Sequence, residues 1–207
     1  MGLMSSQRVR HGLHAAVVTL CFAPLFWLIY AALSDDLGAN PVEKITHVTG
    51  EWALRLLLLT LAVTPLRKIA GLRHIAAYRR SFGLCAFGYV CLHLATYLSF
   101  DLGFAFGLLG EDILERPYIT LGFAAFCMLA PLAATSTRAA IRRMGRHWGS
   151  LHRLVYAAAI CAVMHFFWLV KADEREPLIY GALLALLLAA RAVPLARRAR
   201  RRNAATA

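Results

Sequence analysis

Three histidines stand inside long apolar stretches of this 207-residue chain: His93, His152 and His165. An ionisable side chain deep in a membrane-spanning segment is costly, and so marks a functional position. The other five, His11, His14, His47, His74 and His147, fall in loops or near the ends of stretches. Depth pairs two of the three. At 1.5 Å rise per residue, His93 lies about 20 Å along its helix from Arg80, and His165 about 24 Å from Gly149. Two imidazoles at similar depth on neighbouring helices are what a bis-histidine b-type haem requires. Neutral imidazole is a good ligand for haem iron, and an apolar helix bundle suits a macrocycle. The competing reading makes each histidine a helix–helix hydrogen-bond partner. His152 lies near the inner face, about 20 Å along the helix from His165. At about 100° per residue the two point roughly 140° apart, so they share a face only if the helix bends or bulges.

The elements that must position these histidines are written in the composition. Hydrophobic residues make up 60% of the chain and charged residues 16%, yet the formal net charge is +12. Such apolar content excludes a disordered chain and argues against an ordinary soluble enzyme. Six apolar runs, approximately 15–33, 52–66, 82–100, 118–135, 151–170 and 178–195, predict six transmembrane helices in a single domain covering 1–207. The second run carries Arg55 and the sixth Arg191, and both span only if those side chains snorkel to the interface. The first run is long for a signal peptide and is expected to be retained.

The charges then sort by connection. The N-terminal segment, the connections between runs two and three and between four and five, and the tail counted from Arg191 hold 17 basic residues and no acid. The other three connections hold all 11 acids and four basic residues. The positive-inside rule places both termini in the cytoplasm. The basic tail reads as a topology anchor touching anionic lipid rather than as a nucleic-acid arm. The apolar loop 101–116, with its late acids, is suited to lie in the interface as a short amphipathic segment. Five cysteines, none in a C-x-x-C, read as small buried hydrophobes.

Particular motifs carry a resemblance. TSTRAAIRRMGRHWGSLHRLVYAAAICAVMHFFWLVK (135–171), ITHVTGEWAL (45–54), LTLAVTPLRK (59–68), RRSFGL (79–84), LHLATY (92–97) and RPYITLG (116–122) stand together in one chain. As a set they closely resemble the haem-binding membrane subunits of bacterial periplasmic protein-methionine-sulfoxide reductases (the MsrQ/YedZ family), of the ferric reductase-like transmembrane group. The resemblance implies an all-α, six-helix bundle in the bacterial inner membrane that relays electrons through one or two b-type haems. It implies a periplasmic molybdopterin-containing methionine sulfoxide reductase as acceptor, and the quinol pool or a cytoplasmic flavin reductase as donor. FMN is a further implied cofactor. The chain would be an electron-transfer subunit rather than the catalytic one. The family's haem-iron histidines fall on His93, His152 and His165, with His93 and His165 holding the outer haem. His152 is left to ligate an inner haem or to hold a flavin or quinone site. Related oxidases carry a second histidine on the third span; this chain has Arg79 and Arg80 there.

Arg79, Arg80 and Arg153 suit haem propionates or a flavin phosphate, since guanidinium binds such anions bidentately; topology and headgroup contact explain them equally. Trp148, Tyr97 and Trp168 either flank cofactors or form interfacial belts. His47 has a structural reading beside a role at a quinone head or partner. The chain has no G-x-G-x-x-G and no inserted soluble domain, so both donor and acceptor must be separate molecules. Two readings compete with the relay: a ferric or quinone reductase acting on small molecules, and a haem-free transporter or scaffold.

Overall fold

The computed structural model describes residues 2–170 and 175–204, with side chains at the C-terminal end described as far as 192. The connection at 171–174 and the side chains of the basic tail at 197–202 lie outside the described residues. Every regular element among the described residues is helical: α1 (Gly2–Cys21), α2 (Ala23–Leu33), α3 (Pro41–Ile69), α4 (Arg79–Thr96), α5 (Phe106–Glu115), α6 (Pro117–Ala134), α7 (Arg138–Met144), α8 (Arg146–Leu151), α9 (Leu154–Leu169) and α10 (Arg175–Ala204). A 3-10 turn at Arg73–Tyr78 leads into α4, and a π-helical turn at Tyr97–Asp101 follows it.

Proline and capping chemistry set the boundaries. The first apolar run is not one straight helix: α1 and α2 meet at a 45° bend. Pro24, in the first turn of α2, cannot donate to the preceding turn. At the break the Leu25 N–H goes to Phe22 O at 3.0 Å, leaving the Cys21 carbonyl to the fully buried Tyr89, whose hydroxyl donates to it at 3.0 Å. Tyr89→Phe is expected to cost about 1 kcal/mol by stranding that carbonyl, read as a lower melting temperature in detergent. α3 begins with Asn40, which accepts from Glu43 N at 3.3 Å and donates to its carboxylate at 2.9 Å. The second apolar run is therefore the inner part of a 29-residue helix.

Among the described residues three helical stretches are long and apolar enough to cross a membrane: Arg73–Asp101, Pro117–Ala134 and Arg146–Leu169. The bent α1–α2 pair makes a fourth if it counts as one span. α3 and α10, the second and sixth predicted spans, are not among them. Nor do their arginines simply snorkel. Arg55 pairs with Glu51 at 2.8 Å and donates Nε–H to Tyr180 on α10 at 2.8 Å. Arg191 reaches inward from α10 to Tyr156 and the Leu61 carbonyl. A guanidinium given partners inside the bundle has no need of the interface.

Two helix pairs make the body: α3 along α4, and α6 along α9. Their core is leucine from α3 (Leu54, Leu57, Leu58, Leu61) against Ala86 of α4 and Ala158 and Ala159 of α9, all nearly or fully buried. Small residues at the crossings let backbones approach closely. The exterior is apolar too: Leu33, Ile69, Leu114, Ile179 and Leu186 are each more than half exposed. α5 packs on α6 and carries Asp112, which accepts from the Tyr97 hydroxyl and pairs with Arg116 at 3.3 Å. The apolar loop predicted at 101–116 thus contains a ten-residue helix. Gly103 and Phe104 both adopt positive φ just before it.

Candidate haem-ligating site

His93 near the end of α4 and His165 near the end of α9 come together. Their ring centroids stand 6.1 Å apart with the rings nearly perpendicular, at 81°. Each ring is held the same way. His93 Nδ1 is 3.0 Å from Thr46 O on α3, and His165 Nδ1 is 2.7 Å from Tyr118 O on α6. A carbonyl oxygen only accepts, so Nδ1 carries the proton in both rings, and each Nε2 keeps its lone pair. That tautomer, oriented by a backbone acceptor, is the one that ligates metals.

The two carbonyls are reachable for a reason in the sequence. Each belongs to a helical residue whose i+4 neighbour is glycine: Thr46 precedes Gly50, and Tyr118 precedes Gly122. A Cβ at Gly50 would sit 3.0 Å from His93 Nδ1 and Cε1. A Cβ at Gly122 would sit 2.9 Å from His165 Nδ1 and 3.0 Å from its Cε1. Each glycine makes room for one imidazole. Neither glycine was singled out in sequence; the available signal was a glycine within a membrane-depth helix, where close packing is the usual reason for it.

Both rings line a cavity of about 270 Å³. Its walls are mostly apolar: Leu54 and Leu57 of α3, Val90 and Leu94 of α4, Phe123 and Phe126 of α6, Ala162 and Phe166 of α9. Its polar lining includes His47, Glu51, Asp101 and Arg116, and Leu109 of α5 also lines it. The residues fit a haem. Metal–imidazole bonds of about 2.0–2.1 Å, with a little over an ångström from nitrogen to ring centre, put two rings on one iron about 6 Å apart. No group of three or more His, Cys, Asp or Glu placed to hold a free metal ion occurs among the described residues.

His152 is not part of this cavity. Within the helical stretch Arg146–Leu169 a two-residue turn at 152–153 separates α8 from α9, with His152 as the cap of α8. Its Nε2 lies 3.1 Å from the Thr135 hydroxyl, and its ring stacks on Trp148 at 3.9 Å. Trp148 in turn donates Nε1–H to Thr135 O at 3.0 Å. Arg79, exposed at the start of α4, lies within electrostatic reach of His152. Arg80 and Arg153 are exposed, and Arg153 donates to Ser150 Oγ at 3.1 Å. None of these three arginines lines the cavity. Of the aromatics, Tyr97 lines it; Trp168 is half exposed outside it. His47 lines the cavity 4.0 Å from Glu43.

Residues 49–163 match the family described as ferric reductase like transmembrane component. Among curated relatives, the protein-methionine-sulfoxide reductase heme-binding subunit MsrQ of Xanthomonas axonopodis pv. citri is 53% identical over 163 residues, covering 79% of this chain and 75% of that protein. The MsrQ subunit of Xanthomonas campestris pv. campestris is 50% identical over 181 residues, covering 84% and 81%. That of Rhodospirillum rubrum is 50% identical over 186 residues and covers 89% of each. A family match over more than half the chain, with relatives at this identity over most of its length, means that the chain belongs to the ferric reductase-like transmembrane family, alongside the MsrQ subunits.

Proposed function

We propose that the chain is the haem-binding membrane subunit of a methionine-sulfoxide reductase system. In this reading it relays electrons from the quinol pool or a cytoplasmic flavin reductase to a periplasmic molybdopterin-containing reductase. It would lie in the bacterial inner membrane as six spans, with α3 and α10 among them and both termini cytoplasmic. The supporting observation is the facing pair His93–His165 at 6.1 Å, with both Nδ1 protons engaged by backbone carbonyls.

The chain's own contributions follow from that geometry. Nδ1–H donation to Thr46 O and Tyr118 O fixes the tautomer and raises the basicity of each Nε2. Leu54, Leu57, Phe123 and Phe126 give the cavity that both rings line an apolar wall. A b-type haem bound there supplies one-electron redox chemistry. The Asp112 carboxylate, held by Tyr97 and Arg116, ties α5 to the end of α4 at the same end of the bundle as the cavity. Purified protein supplied with haem is expected to give a reduced-minus-oxidised b-type spectrum with Soret and α bands. A preparation that stays colourless after haem supplementation would sink the reading.

A further inference from the structure

One carboxylate on the wall of the haem-ligating cavity is held by an arginine that does not itself line the cavity. Glu51 lines it and follows Gly50, the residue against which the His93 ring packs. Arg55, one turn further along α3, donates from Nη2 to the Glu51 carboxylate at 2.8 Å. Its Nε–H goes to the Tyr180 hydroxyl of α10 at 2.8 Å, and its guanidinium carbon lies 5.1 Å from the centre of the Trp52 ring. The Tyr180 ring meets Phe166 edge-on, 5.9 Å away at 61°, and Phe166 lines the same cavity. Tyr180 thus fixes the guanidinium, the guanidinium fixes the carboxylate, and both ends of this chain of contacts rest on the cavity wall.

An i,i+4 ion pair on an open helix face has no need of a third partner from another helix. This pair is partly withdrawn, with the Glu51 side chain 25% exposed and that of Arg55 37%. In apolar surroundings a charge beside a redox centre acts with little screening. Oxidation of haem iron adds one positive charge. A bare carboxylate on the wall therefore favours the oxidised form, and a bare guanidinium the reduced form. At 2.8 Å the two offset each other. The cavity's other arginine, Arg116, is offset in the same way by Asp112 at 3.3 Å, and Asp101 and His47 complete the charged and titratable lining outside the ring pair.

We propose that Arg55, oriented by Tyr180, is a positioning residue that sets the midpoint potential of haem held at His93 and His165, by neutralising Glu51 at the cavity wall. Charge and hydrogen bonding around a haem are the means by which a protein tunes it. α10, none of whose residues lines the cavity, acts on it through this contact. The proposal rests on the haem-binding reading of that cavity.

The test is a potentiometric titration of the full chain, loaded with haem in nanodiscs and followed by the reduced α band, with haem per chain measured alongside. The component belonging to this site is the one that His165→Ala removes. Arg55→Gln bares the carboxylate and is expected to lower the midpoint potential. Glu51→Gln bares the guanidinium and should raise it. The double variant should fall between the two singles, which is the coupling expected of one interacting pair. Tyr180→Phe keeps the ring on Phe166 but removes the acceptor of Arg55 Nε–H, and should shift the potential in the direction of Arg55→Gln by a smaller amount. Arg55→Lys keeps the charge and should restore most of the wild-type value. Lys68→Gln, which removes an exposed cation from the last turn of α3, should leave the potential unchanged. A merely structural pair predicts less haem or lower stability in both singles, without opposed shifts in potential. If Arg55→Gln does not fold, Tyr180→Phe and Glu51→Gln carry the comparison. Bound haem with wild-type potentials in these variants, or shifts of one sign in both, would overturn the proposal and leave the haem reading standing. A chain that takes up no haem would overturn both.

Discussion

His165→Ala is expected to lower haem affinity by more than about 100-fold and to abolish the six-coordinate low-spin spectrum. Loss of a second-shell partner alone typically costs 10- to 100-fold, and removal of a ligand costs more. His93→Ala should do the same, because each ring has its Nδ1 engaged by a backbone carbonyl and so offers one Nε2 lone pair. Each substitution leaves an imidazole-sized space beside a backbone carbonyl, at Tyr118 or Thr46. Added imidazole should therefore restore the low-spin spectrum in both variants. His152→Ala, which removes a ring bonded to Thr135 and stacked on Trp148, should leave that spectrum unchanged. Full haem retention in His93→Ala and His165→Ala would refute the ligand assignment. A haem-to-chain ratio unchanged in His152→Ala would leave the facing pair as the sole haem site.

Gly122→Ala is expected to weaken haem binding by roughly 10- to 100-fold and to shift the midpoint potential, with Gly50→Ala acting in the same direction and less strongly. The methyl group at 122 would stand 2.9 Å from His165 Nδ1, so the ring must swing away from Tyr118 O. The difference between the two sites follows from distance: the His165 bond is 2.7 Å and the His93 bond 3.0 Å. A purely structural role predicts something else. Glycine to alanine inside a helix ordinarily adds up to about 1 kcal/mol of helix propensity. Falling haem affinity with unchanged or higher helix stability is therefore the signature of a positioning residue. Gly88→Ala is the control, since a Cβ there meets Phe22 at 3.9 Å in ordinary contact. Potentials and affinities equal to wild type in both variants would remove the glycines from the site.

Helix periodicity and depth were enough to bring His93 and His165 together, because a 1.5 Å rise applies to any straight span. The same arithmetic assumed that the stretch around His152 was continuous. A turn at 152–153 interrupts the α-helical pattern there, so the angle expected on an ideal helix between His152 and His165 does not apply. The second apolar run is short in the sequence and carries Arg55; in the fold it lies within a long helix, where Arg55 pairs with Glu51 one turn earlier. What lay beyond reach were contacts that depend on which helices neighbour which. Nothing local says that Thr46 O will receive His93 across 47 positions, or that Pro65 will free a carbonyl for Arg191 across 130. The signals for both were present as a glycine and a proline in helices, and each becomes meaningful only once its neighbour is known.

The paired arrangement of carbonyl, glycine and imidazole has a consequence for how the protein is assembled. The α3–α4 pair contains one complete half of it, and the α6–α9 pair contains the other. Each pair orients its own imidazole, but neither owns two. A metal shared by those rings would be a clasp between the two helix pairs, and drawing it out would remove a cross-tie at the seam where they join.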